Sequence, residues 1–487
     1  MPRISWAGRV AATGAVVLVI TIAAVVGGGG GSGWTQDADV PTTANVWIDV
    51  DGGTCTLNGT PAAYSDASAC TYSGAEAHFA PGRTVGMKGG TYSGNWLIDR
   101  VAALDNLTPG CDPYGEWGTA STTNCLRVFV ASGETVTGLG NIEIDSSGIW
   151  IDGERQNVST WPNTSPTYNF VVNGSVGILS GSASFSTDHS IIDGVDAMAI
   201  YSLGTQQTLI RRTDSGGRFV SGADPPCNYT DEFGTVPGDI IESRIADRNG
   251  WDVVDVVFDS IYFHDVDRTS GGCHEGGLFL VNGSNLEIRN SVWSQTWVYA
   301  IQIQNFNAGG LPSDVTIENN WFGCDVEATG TVGNRTTCSG QDAIQFDSDG
   351  TAFTNYLIRF NSFGGSSGSL GCYTPTCTFT NVRVIGNTGE LPTNDGSDVD
   401  MCGVAGITYD DNGWNSGTCG VGDTDIEVLS SIFTSITVGA ENLHLLNATN
   451  GANNLVTTGT GDYAIATDID GQARPIGANR DAGADER

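Results

Sequence analysis

"NLEIRNSVW", residues 285–293, decides how this chain folds. Apolar and polar residues alternate from Leu286 to Arg289, Asn290–Ser291 interrupts, and Val292–Trp293 resumes an apolar run. Period-two alternation marks a strand with one buried face, and Asn and Ser are turn formers. The same pattern stands in "DVVFDSIYF" (255–263), "DVTIENNWF" (314–322), "YLIRFNSF" (356–363) and "VRVIGNTG" (382–389). Taking Phe258, Ile288, Ile317, Ile358 and Val384 as equivalent gives steps of 30, 29, 41 and 26 residues. A second alternating run precedes each of the middle three: "GGLFLV" (276–281), "YAIQIQ" (299–304) and "DAIQFD" (342–347).

Repeats of this length with two or three short strands each describe a solenoid, in which every unit buries its apolar face on its neighbours. A propeller blade would need four strands per unit. The uneven steps fit loops of different length inserted at one turn. Asn290, Asn319, Asn361 and Asn387 fall at a comparable turn, where Asn accepts a left-handed backbone and could stack into an amide ladder. They are read here as plain turn residues.

Composition agrees with one elongated domain. Among 487 residues there are 68 Gly and only 15% charged residues. The formal net charge is -35, and Lys88 is the only lysine. Such a surface repels nucleic acid and anionic lipid, and it opposes long-range steering of a polyanionic substrate. At the N-terminus, Arg3 and Arg9 precede an apolar run from Val10 to Val26 and a glycine tract. Residues 1–33 therefore read as a signal peptide, or as an uncleaved membrane anchor, plus a Gly-rich linker. The protein is expected to be extracytoplasmic, secreted or tethered through that segment.

Twelve cysteines fit export. In order they form near neighbours: Cys55 with Cys70, Cys111 with Cys125, Cys324 with Cys338, Cys372 with Cys377 and Cys402 with Cys419. Cys227 and Cys273 are left over and could pair with each other. Zinc ligation is the weaker reading, because there is no paired Cys-x-x-Cys and only five His.

The repeat units resemble right-handed parallel β-helix proteins of the pectin-lyase-like class. "NVWIDVDGGTC…GRTVGMKGGTYSGNWLI" resembles the opening of bacterial extracellular members, with a strand, a short capping helix and a first coil. Gly82, Val85, Gly89, Gly90 and Tyr92 match that pattern, while Arg83 stands where an acidic residue is common. "TDIDGQARPIGANRDAGADE" resembles the closing segment of choice-of-anchor β-helix proteins. The matching positions are Asp468, Asp470, Gly471, Arg474, Pro475, Gly477, Asp481, Gly483, Ala484 and Glu486. The resemblance implies an all-β single β-helix: a cap and first coil over 45–100, then a solenoid with its closing segment over 101–487. It implies contact with extracellular polysaccharide and says little about catalysis.

Of the patterns used by polygalacturonase-like hydrolases, only Asp410–Asp411 is present, which reads as a turn. Calcium-dependent lyases need acidic ligands and a basic residue, here Arg268, Arg289 or Arg359. Calcium suits oxygen donors around Gly turns, and the candidates are Asp347 and Asp349 together with Asp395, Asp398 and Asp400. Asp49 with Asp51, and Asp468 with Asp470, are further pairs of the same kind. Stacking the second runs puts His274 and Glu275 at a turn before a strand. Beside them lie Trp297, Tyr299 and an outward row of Phe279, Gln302 and Gln345, next to Val281, Gln304 and Asp347. That face is the expected saccharide groove, with Glu275, His274 and Arg268 as candidate catalytic groups. Trp297, Tyr299, Gln302, Gln345 and Asp347 are its candidate binding groups. The leading functional expectation is a carbohydrate-contacting surface or secreted protein without a complete acid–base set. A polysaccharide lyase or hydrolase is the alternative, and a phage- or adhesin-like attachment protein is the third.

Overall fold

Period-two runs separated by two-residue links could form hairpins; here each link bends the chain onto a new face, and strands pair with the next coil instead. A computed structural model describes residues 40–487 apart from 154, 157–166, 183, 220–227, 232–233, 238–242, 249, 268–276, 295, 297–298, 306–309, 324–341, 366–367, 374–375, 393–400, 427, 438–439, 448–450 and 476. The described residues belong to one compact unit, Ser32–Arg487. Three long sheets run through it, with 13, 12 and 9 strands among the described residues. Their pairings are parallel throughout. One coil shows the plan: Ser284–Arg289 in the first sheet, Asn290 and Ser291 as the link, Val292–Ser294 in the second sheet. Ile301–Gln304 follows in the third sheet before Ser313–Glu318 begins the next coil. The chain is a parallel β-helix.

The expected core column exists. Phe258, Ile288, Ile317, Ile358 and Val384 are register partners in successive coils, and each is fully buried. Behind the second sheet, Phe263, Trp293, Phe322 and Phe363 stack face to face, with centroids 4.9, 4.7 and 4.9 Å apart. Aromatic stacks of this kind add to area burial and favour one register over its neighbours.

The link between the first two sheets corrects the sequence reading of the asparagines. Arg212, Ser260, Asn290, Asn319, Phe360 and Asp411 share its first position, each with φ between 48° and 60°. Asn361 and Asn387 sit one residue later, in register with Asn320 and Asn412. In this second column the amides form a buried ladder. The Asn361 Oδ1 accepts from Asn320 N and Nδ2 (both 3.0 Å), and Asn387 and Asn412 repeat the arrangement one coil on. Each Nδ2 also donates to a carbonyl of the first sheet, those of Ile288, Ile317, Ile358 and Val384. Asp423 Oδ1 closes the ladder by accepting from Asn412. Two adjacent polar columns look identical in sequence, and only the register separates them. A second ladder is exposed: Asn355 Nδ2 donates to Asp314 Oδ1 and Asn381 Nδ2 to Asn355 Oδ1, both at 2.8 Å.

At the N-terminal end, Val46–Ile48 pairs with Thr84–Met87, which pairs with Leu126–Val130. The short helix Tyr72–Ala75 lies between, N-capped by Thr71, whose Oγ1 accepts from Gly74 N. Cys55–Cys70, Cys111–Cys125, Cys372–Cys377 and Cys402–Cys419 are disulfides, as expected from their spacing. They fit an oxidising compartment. Cys227, Cys273, Cys324 and Cys338 lie outside the described residues. So does the apolar run 10–26, and among the described residues no helix is long and apolar enough to cross a membrane.

The closing segment packs along the outside of the coils rather than across their end. Its apolar side chains, among them Ile432, Phe433, Leu443 and Ile469, pack with Trp321 of the second sheet, Ile385 of the first and Phe360 of the link between them. Arg474 explains the sequence motif. Its fully buried guanidinium bonds Glu486 Oε2 (3.2 Å), Gly483 O (2.7 Å) and Asn319 Oδ1 (3.2 Å), and it stands over the Phe360 ring. Asp481 takes Asn454 N at 2.6 Å and Arg487 N at 2.7 Å. Arg474→Met should therefore leave Glu486 buried without its cation and cost about 3–5 kcal/mol in chemical denaturation.

The two ladders should differ in weight. Asn361→Ala strands several buried donors and acceptors and is expected to cost about 2–4 kcal/mol. Asn355→Ala, on the exposed ladder, should stay within about 1 kcal/mol. Equal losses in urea unfolding would show that ladder burial is irrelevant.

Candidate functional site

The third-sheet face expected to carry a groove has the expected register: Phe279, Gln302 and Gln345 are partners, as are Gln304 and Asp347. Leu278 N bonds Ala300 O at 2.9 Å and Ala300 N bonds Ala343 O at 3.1 Å, so that column also stacks. The row is covered, however. Phe279, Tyr299, Gln302, Gln304 and Gln345 are all at most 6% exposed. Gln302 Nε2 donates to Gln345 Oε1 at 3.3 Å, and the Tyr299 ring meets Phe279 edge-on at 5.6 Å. Phe279, Tyr299, Gln302 and Gln345 pack within the protein's own interior, and of this row Val281 and Asp347 are half-buried. Arg268, His274, Glu275 and Trp297 lie outside the described residues.

Of the expected calcium ligands, Asp349 is exposed and bonds Asn305 (2.7 Å) and Thr351 (3.0 Å). Asp395, Asp398 and Asp400 lie outside the described residues. Asp410 accepts from the Tyr463 hydroxyl, and Asp411 takes the left-handed link position, which makes the pair part of a turn.

Of the arginines considered as bases, Arg289 and Arg359 lie among the described residues, and both are locked in ion pairs. Along the last position of the first-sheet strands, Asp152, Asp193, Arg211, Asp259, Arg289, Glu318 and Arg359 are successive partners. Arg289 bonds Glu116 (2.6 Å), Glu287 (2.8 Å) and Asp259 (3.3 Å). Burial opposes its charge, but these three carboxylates hold the guanidinium well above its ordinary range. Arg359 Nε donates to Glu318 at 2.6 Å and Arg359 Nη1 to Asp462 O at 2.8 Å. A general base must give up its proton near working pH, and Arg289 is arranged against that.

The outer face of the second sheet carries a cluster that sequence reading missed. Asp196, in Val195–Ala197, is the register partner of Asp214, which pairs in turn with Tyr262. The flanking Val195, Ala197, Ser215 and Phe263 face the core, so alternation sends Asp196, Asp214, Tyr262 and His264 to the outer face, where Asp214 and Tyr262 are covered to 6% exposure and Asp196 and His264 stay half-buried. His264 Nε2 lies 2.7 Å from Asp214 Oδ1, and its ring stacks on Tyr262 at 4.2 Å. Gly216, the register partner of His264, makes that lean possible. A Cβ there would sit 2.5 Å from His264 Cδ2 and 2.6 Å from Nε2. Burial, then the charge of Asp214, pushes the Asp196 carboxyl up to about 6, against a smaller opposing effect of His264. Two carboxyls on adjacent coils sit on strands about 4.8 Å apart. One of them keeps its proton to mildly acidic pH, and the other is oriented by an imidazole. That is the material of proton transfer at a glycosidic bond. In sequence, "VDA", "TDS" and "FHD" are separated by unequal coils, so no motif spacing announces them.

No protein-family model matches the chain, and no curated protein matches it. Among solved structures, pectate lyase Pel9A is similar at 12% identity, with a TM-score of 0.46, over 93% of this chain and 98% of that one. The PL6-family alginate lyase AlyGC is similar at 10% identity over 73% of this chain and 52% of its own, with a TM-score of 0.26; a mutant of it gives 0.29.

Asp196 makes a signed pH prediction. Its carboxyl holds a proton up to about pH 6 when folded and to about 3.8 when unfolded, so the folded state binds more protons between those values. Stability should then fall as pH rises from about 4 to 6, on the order of 2 kcal/mol in total. Asp196→Asn should remove that slope and be the more stable form above pH 6. Parallel stability–pH curves for wild type and variant would mean that the site does not hold the proton.

Proposed function

We propose that the chain is an exported parallel β-helix protein that holds a neutral or cationic saccharide on the outer face of its second sheet, around Asp196, Asp214 and His264. The observation that carries this reading is the outward, hydrogen-bonded carboxyl–imidazole cluster over Gly216. Carboxyls and imidazole bond sugar hydroxyls, and a face built by strands holds them more rigidly than a loop does. The net charge of -35 argues for the ligand's charge class, since it repels polyuronates. The disulfides support an extracytoplasmic setting, with residues 1–33 as the export segment. A hydrolytic role is the second reading, favoured by the proton that Asp196 keeps to about pH 6.

Binding is tested on an array of neutral, amino and acidic glycans. Wild type should retain neutral or amino glycans, and Asp214→Asn should weaken that binding at least about tenfold, as expected when a buried charge-assisted hydrogen bond is lost. Selective capture of polyuronates, or unchanged binding by Asp214→Asn, would defeat the proposal. Reducing-end release that disappears in Asp196→Asn while binding persists would establish the hydrolytic reading.

A further inference from the structure

A second cluster lies in the closing segment, apart from the second-sheet face. His444 stands on the strand Asn442–Leu445, Asp470 in the turn of "TDIDG", and Asp485 two positions before Arg487. One donor atom from each lies within 4.8 Å of the others. His444 Nε2 is 2.9 Å from Asp470 Oδ2, while Nδ1 is 2.6 Å from Asn442 Oδ1. An amide oxygen at Nδ1 holds the proton there and aims Nε2 at the two carboxylates, as the supporting partner of a metal-bound imidazole does; without a metal, Nε2–H donates to Asp470. The Trp321 ring packs edge-on against the other side of the imidazole at 4.6 Å.

Asp485 supplies the independent observation. The residue is 1% exposed. Its Oδ2 accepts from Leu445 N at 2.7 Å and from Arg487 Nε at 3.4 Å, while Oδ1 is buried with no hydrogen-bond partner. A buried carboxylate oxygen without a partner carries a desolvation cost of about 1–3 kcal/mol or more. Asp468, two residues before Asp470, has a buried Oδ2 in the same condition.

We propose that His444, Asp470 and Asp485 bind one divalent transition ion, zinc above others, which ties three separate stretches of the closing segment together. Imidazole with two carboxylates is a nitrogen–oxygen set that zinc accepts at about 2.0–2.2 Å. Tetrahedral bonds of that length place donors about 3.3 Å apart, so the observed His444–Asp470 spacing needs only a small outward shift. Calcium would require six to eight oxygens, more than this cluster offers. Water takes the fourth position. Binding displaces any proton on Nε2 and gives Asp485 Oδ1 its partner.

The test uses the full-length oxidised protein, stripped with chelator and titrated with Zn²⁺ and then Co²⁺. One Zn²⁺ site, visible absorption typical of four-coordinate Co²⁺, and a higher Tm with Zn²⁺ than with chelator are expected. His444→Ala and Asp470→Asn should each weaken the site at least about tenfold and abolish the Co²⁺ spectrum. His444 is partly exposed, so its variant is expected to fold, which circular dichroism of the metal-free proteins verifies. No Zn²⁺ uptake by folded wild type at micromolar concentration, or uptake by both folded variants equal to wild type, would overturn the proposal.

Discussion

The buried amide ladder between the first two sheets is the interaction on which the rest of the architecture hangs. A parallel coil has no hairpin to set its register, and a slip of one residue would turn every inward side chain outward. Asn320, Asn361, Asn387 and Asn412 prevent that, because each Nδ2 donates both to a carbonyl of the coil before it and to the side-chain oxygen that follows it in the ladder. With that register set, Ile288, Ile317 and Ile358 stack inside, the aromatic pile of Trp293, Phe322 and Phe363 follows, and the outward columns line up as well.

The outward columns then divide the surface by charge. On the first sheet the alternation of Asp, Arg and Glu from Asp259 to Arg359 neutralises itself, so its arginines are structural cations. On the second sheet Asp196 and Asp214 face each other with no arginine in their column, and His264 reaches back over Gly216 to one of them. The same parallel stacking thus gives an inert salt-bridge ladder on one face and a strained pair of acids on the next. The difference lies only in which residue types share a column.

The closing segment does more than end the solenoid. By lying on the links at Asn319, Phe360 and Gly386 it covers polar turns that would otherwise face water, and buried Arg474 is the centre of that contact. A buried Arg–Glu pair of this kind brings specificity of docking at a cost in desolvation.

Much of this was legible in the chain itself. Alternation in "NLEIRNSVW" and its relatives gave strands, their recurrence gave coils, and cysteine spacing gave four of the observed bridges, because each depends on local periodicity or short loops. Asn361 and Asn387 were placed one column away from where they lie, since a one-residue offset leaves the local pattern unchanged. Gln302 and Gln345 were placed in the right row but read as open, since a strand's pattern shows that a residue points outward and not what lies over it. Asp196, Asp214 and His264 could be joined only by tertiary structure: coils of unequal length separate them in sequence, while the spacing between strands sets Asp196 beside Asp214 and brings His264 within a hydrogen bond of Asp214.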